Sequence, residues 1–413
     1  MSVNEAYSQM ANSGLYGKPP GLKGKYDNVR RFWEDKVTAY FIRPYLEDIK
    51  RRCRENGRKV RILDLGCGSG DGYELLTEVV NHDASPRKVE VNVLPEDEID
   101  LYVGVDLNSE LLEQGKGYYS DRDHVKFLKG NFLQGLGVEE EPPFDIYFAN
   151  YGTLSHCSDK EVEDLLLRII EHSGKRTIVM GDWLGAYSYE WQNLWADPLP
   201  EDYSIPYVVS YLYDSEDRSK VDLESFDMRL MSRPTLFSII DRVSRRARPR
   251  VEIKVLRLFD RSTFVGRHIE TGEYNDNPQK TRFAVNSLLE PECRTNLEEV
   301  KVSYCPRPGF EGINERFKKL EFTWNSLVEI TERVLAGETV EVPRHDEMSD
   351  FLSLSAKTLL QLNTLTEGLP VEDVRANIIE PQLAYLLRRA EMIIQEGLGM
   401  GHGYTAIMEI VKK

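Results

Sequence analysis

From Val29 onward, Phe32, Trp33, Val37, Tyr40, Phe41, Tyr45 and Ile49 recur at helical spacing, which predicts an amphipathic helix kinked at Pro44. The pattern then alternates. "VRILDL", "IDLYVGVDL", "HVKFLKGNF", "FDIYFANY" and "KRTIVMGDW" read as strands, and "GYELLTEVV", "SELLEQGKGYY" and "DKEVEDLLLRIIEH" as helices between them. Such alternation predicts an α/β domain whose parallel sheet is covered by helices on both faces. Downstream, "RPTLFSIIDRVSRR" reads as a helix, and "RVEIKVLRLFDRSTFVGRHIE" as two strands joined by a tight turn at Asp260 and Arg261. Beyond Tyr274 a stripe of Leu320, Trp324, Leu327, Val328, Val334 and Leu335, then 351–365 and 371–394 with a break near Pro381, predict a mostly helical region. The boundaries are thus a polar, mobile arm over 1–27, an α/β domain over 28–274, and a helical lid or dimer contact over 275–413.

Charge narrows the partners. With 69 acidic against 53 basic residues and a net charge of −16, the surface repels phosphate backbones, so no nucleic-acid partner is expected. The one basic run, "RVSRRARPR" at 242–250, reads as a solvated helix end. Cys53, Cys67, Cys157, Cys293 and Cys305 are scattered, without the spacing of a zinc site or disulfide framework, so no metal is expected. No apolar signal core and no run of about 20 apolar residues appear, so no membrane association is expected and the protein reads as cytoplasmic.

Candidate chemistry begins at "RILDLGCGSGDGYELL", residues 61–76, where a strand meets a glycine-rich turn. Gly66, Gly68 and Gly70 let the backbone approach a nucleotide-like ligand closely. A dinucleotide fingerprint needs glycine at position 71, where Asp71 stands, and no G-K-[ST] follows. Asp64, at the strand end, suits a cationic ligand group and opposes a pyrophosphate. This stretch resembles motif I of the class I S-adenosylmethionine-dependent methyltransferases. "YVGVDLNSELL" is similar to their second motif, "FLKGNFLQ" to the third and "PFDIYFANYGTLSH" to the fourth, in the same order. The resemblance covers roughly 28–270. It implies a Rossmann-like, seven-stranded, mostly parallel sheet and S-adenosylmethionine as cofactor. It further implies Asp64 and the glycine turn at the amino-acid end, Asp106 with Leu107 at the ribose, Asn131 and Phe132 at the adenine, and Asn150 at the end of strand four. Asp64 and Asp106 lie 42 positions apart, and the polar stretch before strand two reads as an insertion.

Methyl transfer asks the protein to exclude water and hold the acceptor behind the methyl group. A hydroxyl acceptor also needs a base. In this fold the acceptor lies beyond the carboxyl ends of the strands. After strand four, His156 reads either as that base or as the neighbour of a helix cap at Ser158. After strand five, "GDWLGAYSYEWQNLW" offers Trp183 and Tyr187 as pocket walls for a ring-bearing acceptor, with Trp191 and Trp195 more suited to the core. Arg267 and His268 either hold an acceptor carboxylate, together with Tyr151, or tie the strand end to the helical region. His402, among four glycines, reads as part of a flexible connector between helices. "NYG" at 150–152 lacks the Asn/Asp-Pro-Pro-aromatic motif, which with the charge points to an O or N atom of a small-molecule metabolite. An aminopropyltransferase of the same fold and a non-catalytic scaffold are the alternatives. A chain cut after Tyr274 is expected to lose acceptor turnover and keep some cofactor affinity.

Overall fold

The computed structural model describes residues 5, 7, 8, 10, 24–81, 91–213, 223–247, 251–340, 348–366, 368–370 and 372–413. Five strands alternate with helices as the apolar pattern requires: β1 (Val60–Leu65), α2 (Asp71–Thr77), β2 (Ile99–Asp106), α3 (Ser109–Tyr118), β3 (Val125–Lys129), β4 (Ile146–Ala149), α4 (Asp159–His172) and β5 (Arg176–Gly185). They are preceded by a π-helical turn, Arg30–Glu34, and helix α1 (Asp35–Glu55), which continues through Pro44. Capping sets the boundaries. Ser158 opens α4 with a full capping box to Glu161, and the Asn108 side chain accepts from Leu111 at the start of α3.

The remaining chain runs β6 (Ser204–Val208), β7 (Ser225–Met231), α5 (Arg233–Arg246), β8 (Val251–Arg261), α6 (Thr281–Leu288), α7 (Glu311–Leu335), α8 (Ser349–Thr366), α9 (Glu380–Ile394) and β9 (Gly403–Lys412). The main sheet reads β3-β2-β1-β4-β5-β9-β8. Strands β1 to β5 pair in parallel, and β9 runs antiparallel to both β5 and β8. The β6–β7 hairpin touches β5 only through Leu184–Leu230 and Gly185–Met231. The fold is therefore a mostly parallel α/β sheet with a helical region, as expected.

Two expectations are corrected here. Between 251 and 270 there is one strand, β8 (Val251–Arg261), with a shift of register at Val255/Arg257, and not a hairpin. The chain turns at Ser262, whose φ is 61. Residues Gly403–Lys412 are not helical. They form β9, which fills the slot between β5 and β8 and returns the whole helical region to the sheet.

Alternation along each strand sends successive side chains to opposite faces. Ile62, Tyr102, Ile146, Phe148, Ile178 and Ile407 join the core that α1 and the helical region cover, with Trp33 and Trp324 rings 5.6 Å apart. Leu63, Val103, Tyr147, Val179 and Met408 join the opposite core, closed by Leu165, Ile169, Ile239 and Val243 of α4 and α5. Most of the 1–27 arm lies outside the described residues, but its end is packed: Tyr26 and Asp27 are buried. Asp27 pairs with Arg282 of α6 at 2.8 Å. In the basic run, Arg242 and Arg246 pair with Glu163 of α4, while 248–250 lie outside the described residues. No helix among the described residues is long and apolar enough to cross a membrane.

Candidate functional site

The turn after β1 is built on left-handed backbone. Gly66, Gly68 and Gly70 have φ of 68, 54 and 92, a region that a Cβ makes costly. A Cβ on Gly66 would also overlap the methyl of Thr153 beyond β4. The turn is stitched to the end of β2: Gly66 N donates to Val105 O at 2.8 Å, and Gly68 N to the Asp106 carboxylate at 2.8 Å. Asn108 N donates to the other Asp106 oxygen at 2.8 Å. Asp106 thus stands beside the turn despite the insertion, with lone pairs left for hydroxyl donors. Burial raises its pKa.

Asn131 and Phe132 follow β3, both half-buried; Asn131 Oδ1 accepts from Leu133 N at 3.0 Å. Leu107 is 49% exposed. Asn150, at the end of β4, is buried; its Oδ1 accepts from Arg261 at 3.2 Å, and its Nδ2 has no hydrogen-bond partner among the described residues. A buried amide donor of this kind, next to the glycine turn on the adjacent strand, suits a ligand acceptor.

Asp64 departs from its expected place at the ligand's ammonium. It is buried, accepts a 2.5 Å hydrogen bond from Tyr102, and lies against Gly72 of α2, where a Cβ would overlap its carboxylate. Burial pushes its pKa up to about 8. A folded-state pKa above the unfolded value stabilises the protein at low pH, and that contribution is lost as pH rises toward the folded pKa. Asp64→Asn mimics the protonated acid without titrating. We expect its unfolding free energy to gain on the wild type between pH about 5 and about 8, by up to about 1.4 kcal/mol per pH unit. A constant difference across that range in calorimetry would show that Asp64 is ionised throughout.

A cavity lined by Tyr151 opens at the carboxyl ends of β4 and β5 and the amino end of β9. Its walls include Arg30, Tyr151, Trp183, Tyr207, Arg261, Arg267 and His402. Tyr151 is held in the left-handed region at φ 59 by its surroundings. The Arg30 guanidinium sits 3.3 Å from its ring centroid, and its hydroxyl donates to Asp35 at 3.1 Å. Arg261 donates to Asp182 at 2.6 Å and to Thr38 at 3.1 Å. Asp182, fully buried, also accepts from Gly152 N and from Thr405, both at 2.7 Å. Arg267 is held more loosely, with Glu34 at 3.6 Å and backbone oxygens of Lys25 and Gly24 at 3.2 and 3.4 Å.

The structure therefore brings Tyr151, Trp183 and Arg267 into one cavity. Tyr187 packs instead against Trp195 and Phe310, as core. His268 is buried behind the wall, its ring 4.6 Å from that of Tyr207. His156 lies behind Tyr7 and Phe226, and its Nε2 is 3.2 Å from the Tyr7 hydroxyl. Burial lowers its pKa to about 4, far from the neutral range in which a base was expected.

Sequence reasoning missed three members of this site. Arg30 falls inside the run predicted as a helix from Val29, and Arg261 at the predicted turn. His402 was read as linker, yet it lines the cavity and its Nδ1 lies 2.8 Å from Glu190. The signal was present in its glycines: a Cβ on Gly401 or Gly403 would strike Arg261, so they mark close packing and not flexibility. Among the described residues no His, Cys, Asp or Glu cluster is arranged to hold a metal ion.

No protein-family description and no curated protein matches this sequence. Among solved structures, an S-adenosylmethionine-dependent methyltransferase from Clostridium acetobutylicum aligns at 13% identity and a TM-score of 0.35, covering 62% of this chain and 90% of that one. Phosphoethanolamine N-methyltransferase 1 of Haemonchus contortus, solved with phosphoethanolamine and S-adenosylhomocysteine, aligns at 12% identity and a TM-score of 0.36, covering 64% of this chain and 47% of that one. Overlaps this loose carry no argument about chemistry, which rests on the site itself.

Proposed function

We propose that this protein is an S-adenosylmethionine-dependent methyltransferase acting on an O or N atom of a small molecule. One juxtaposition carries the reading. The left-handed turn at Gly66, Gly68 and Gly70, the Asp106 carboxylate and the unpartnered amide of Asn150 converge at adjacent strand ends. This set offers backbone approach, a carboxylate for a diol and one buried donor, and no cradle for phosphates. Asp106 with Leu107 would hold the ribose, Asn131 and Phe132 the adenine, and the turn with Asn150 the amino-acid end. The bound cofactor supplies an electrophilic methyl on a sulfonium. The chain's own part is positioning: the walls of the cavity that Tyr151 lines would exclude water and hold the acceptor.

Two measurements test this. S-adenosylmethionine and S-adenosylhomocysteine should each raise the melting temperature through preferential binding to the folded state, while NAD and ATP should not. Equal stabilisation by NAD sinks the assignment. Asp106→Ala should weaken S-adenosylhomocysteine binding by roughly 1.5–3 kcal/mol, the usual loss for hydrogen bonds to a charged group. Unchanged affinity by titration calorimetry would mean that another acid holds the diol.

A further inference from the structure

We infer that His402, oriented by Glu190, is the base that takes the proton from an acidic, phenol-like hydroxyl of a ring-bearing acceptor. This rests on the methyltransferase reading and narrows it.

The arrangement is built and not incidental. Glu190 is fully buried in the turn after β5 and accepts from the His268 backbone N–H, from Ser188 at 3.1 Å and from His402 Nδ1 at 2.8 Å. Its carboxylate occupies the space that a side chain at position 266 would need, which Gly266 leaves open. The loop that presents His402 is pinned from the other side. Asp260, buried at the end of β8, accepts the backbone N–H groups of Leu398, Gly399 and Met400 at 2.8–2.9 Å. A carboxylate on Nδ1 fixes that nitrogen as the donor and leaves Nε2 as the acceptor, on a residue that lines the cavity.

Glu190, from the turn after β5, contacts His402 directly, and the charged groups that line the cavity with it are Glu34, Asp182, Lys25, Arg30, Arg261 and Arg267, with the Tyr207 ring 6.3 Å away. Glu190 and Glu34 favour the imidazolium once it forms, and both carboxyls are held below the usual carboxylate range: burial opposes ionisation, but the contacts from His402 and His268 together outweigh it at Glu190, and Arg282, Arg267 and Arg30 with His402 do so at Glu34. Arg261 and Arg267 favour an oxyanion on the acceptor. An imidazole can take the proton of a phenol, with pKa about 10, far more readily than that of an aliphatic alcohol. Rings of Tyr7, Tyr207, Tyr211 and Phe226 on the walls suit an aromatic acceptor. The bookkeeping closes. The hydroxyl proton moves to Nε2, the oxygen pair forms the O–CH3 bond, the C–S bond breaks with its pair left on sulfur, and the positive charge passes from sulfonium to imidazolium.

The test is 15N histidine NMR on the full chain, with His402→Gln to assign the resonance. His402 is expected to carry its ring proton on Nδ1, and Glu190→Gln should weaken that tautomer preference. Should Glu190→Gln fail to fold, Glu190→Asp serves, with a smaller loss in the same direction. With S-adenosylhomocysteine bound, millimolar catechol should shift the Nε2 resonance and aniline should not. A proton on Nε2, or indifference to Glu190, overturns the base. No response to catechol, or an equal response to aniline, overturns the acceptor class. Calorimetry with S-adenosylhomocysteine on the same samples separates the two readings: absent binding removes the methyltransferase proposal, whereas binding with a misplaced proton removes only this one.

Discussion

Removing Gly403–Lys412 is expected to unfold the protein and not merely to disable its acceptor side. This strand pairs along its length with β5, from Leu184–Gly403 to Arg176–Val411, and with β8, from Arg261–Gly403 to Val251–Lys412. Tyr404, Ile407, Met408 and Ile410 are each at most 1% exposed and feed both cores. At roughly 1.5–3 kcal/mol for each large apolar side chain buried, the strand contributes as much as a typical domain's entire stability of about 5–15 kcal/mol. Its loss also leaves the facing backbone groups of β5 and β8 without partners in the middle of a sheet. A cut after Tyr274 removes β9 along with the helices, so the expectation of retained cofactor affinity in such a fragment does not hold. The check is circular dichroism and limited proteolysis of chain 1–402. A cooperatively folding product that binds S-adenosylhomocysteine would show that β9 is an appendage to the sheet.

What was legible follows from the range of the interactions. Strands β1 to β5 and their helices could be read because each is a local pattern of period two or 3.6, and each pairs in parallel with a near neighbour in sequence. The place of Asp106 was legible too, since the strand that carries it ends on the turn whatever the length of the loop before it. Strand β9 was not. "GYTAIMEIVK" is a mostly apolar run interrupted by Thr405 and Glu409, with no clean alternation to mark it as a strand, and its partners lie far back in the chain. The same distance hid His402, since nothing near it in sequence announces Glu190. Burial misled in the other direction at His156 and Asp64. Both hold motif positions, yet their surroundings change what they can do: one is driven neutral, and the other holds its proton.

Arg261→Met is expected to destabilise the protein by roughly 3–5 kcal/mol, the usual result of leaving one member of a buried ion pair behind. Arg261 is 4% exposed and Asp182 is 1% exposed, so no water replaces the guanidinium. The stranded carboxylate keeps only Gly152 N and Thr405 as donors. The damage reaches both halves of the site. Asn150 loses the donor that fixes its Oδ1, so the amide proposed to meet the cofactor becomes free to turn, and the cavity loses a cation. We therefore expect weaker S-adenosylhomocysteine binding as well as a lower urea midpoint, with the same slope. The double variant Arg261→Met/Asp182→Leu supplies the discriminating measurement. Replacing both charges with apolar groups of similar size removes the stranded carboxylate, so it should recover more than half of the lost stability. It should not recover cofactor affinity, because Asn150 still lacks its anchor and Gly152 N has lost its acceptor. Stability that stays low in the double variant would mean that Arg261 acts through its packing against Gly401 and Gly403, and not through its charge. Full recovery of affinity would remove Asn150 from the cofactor side.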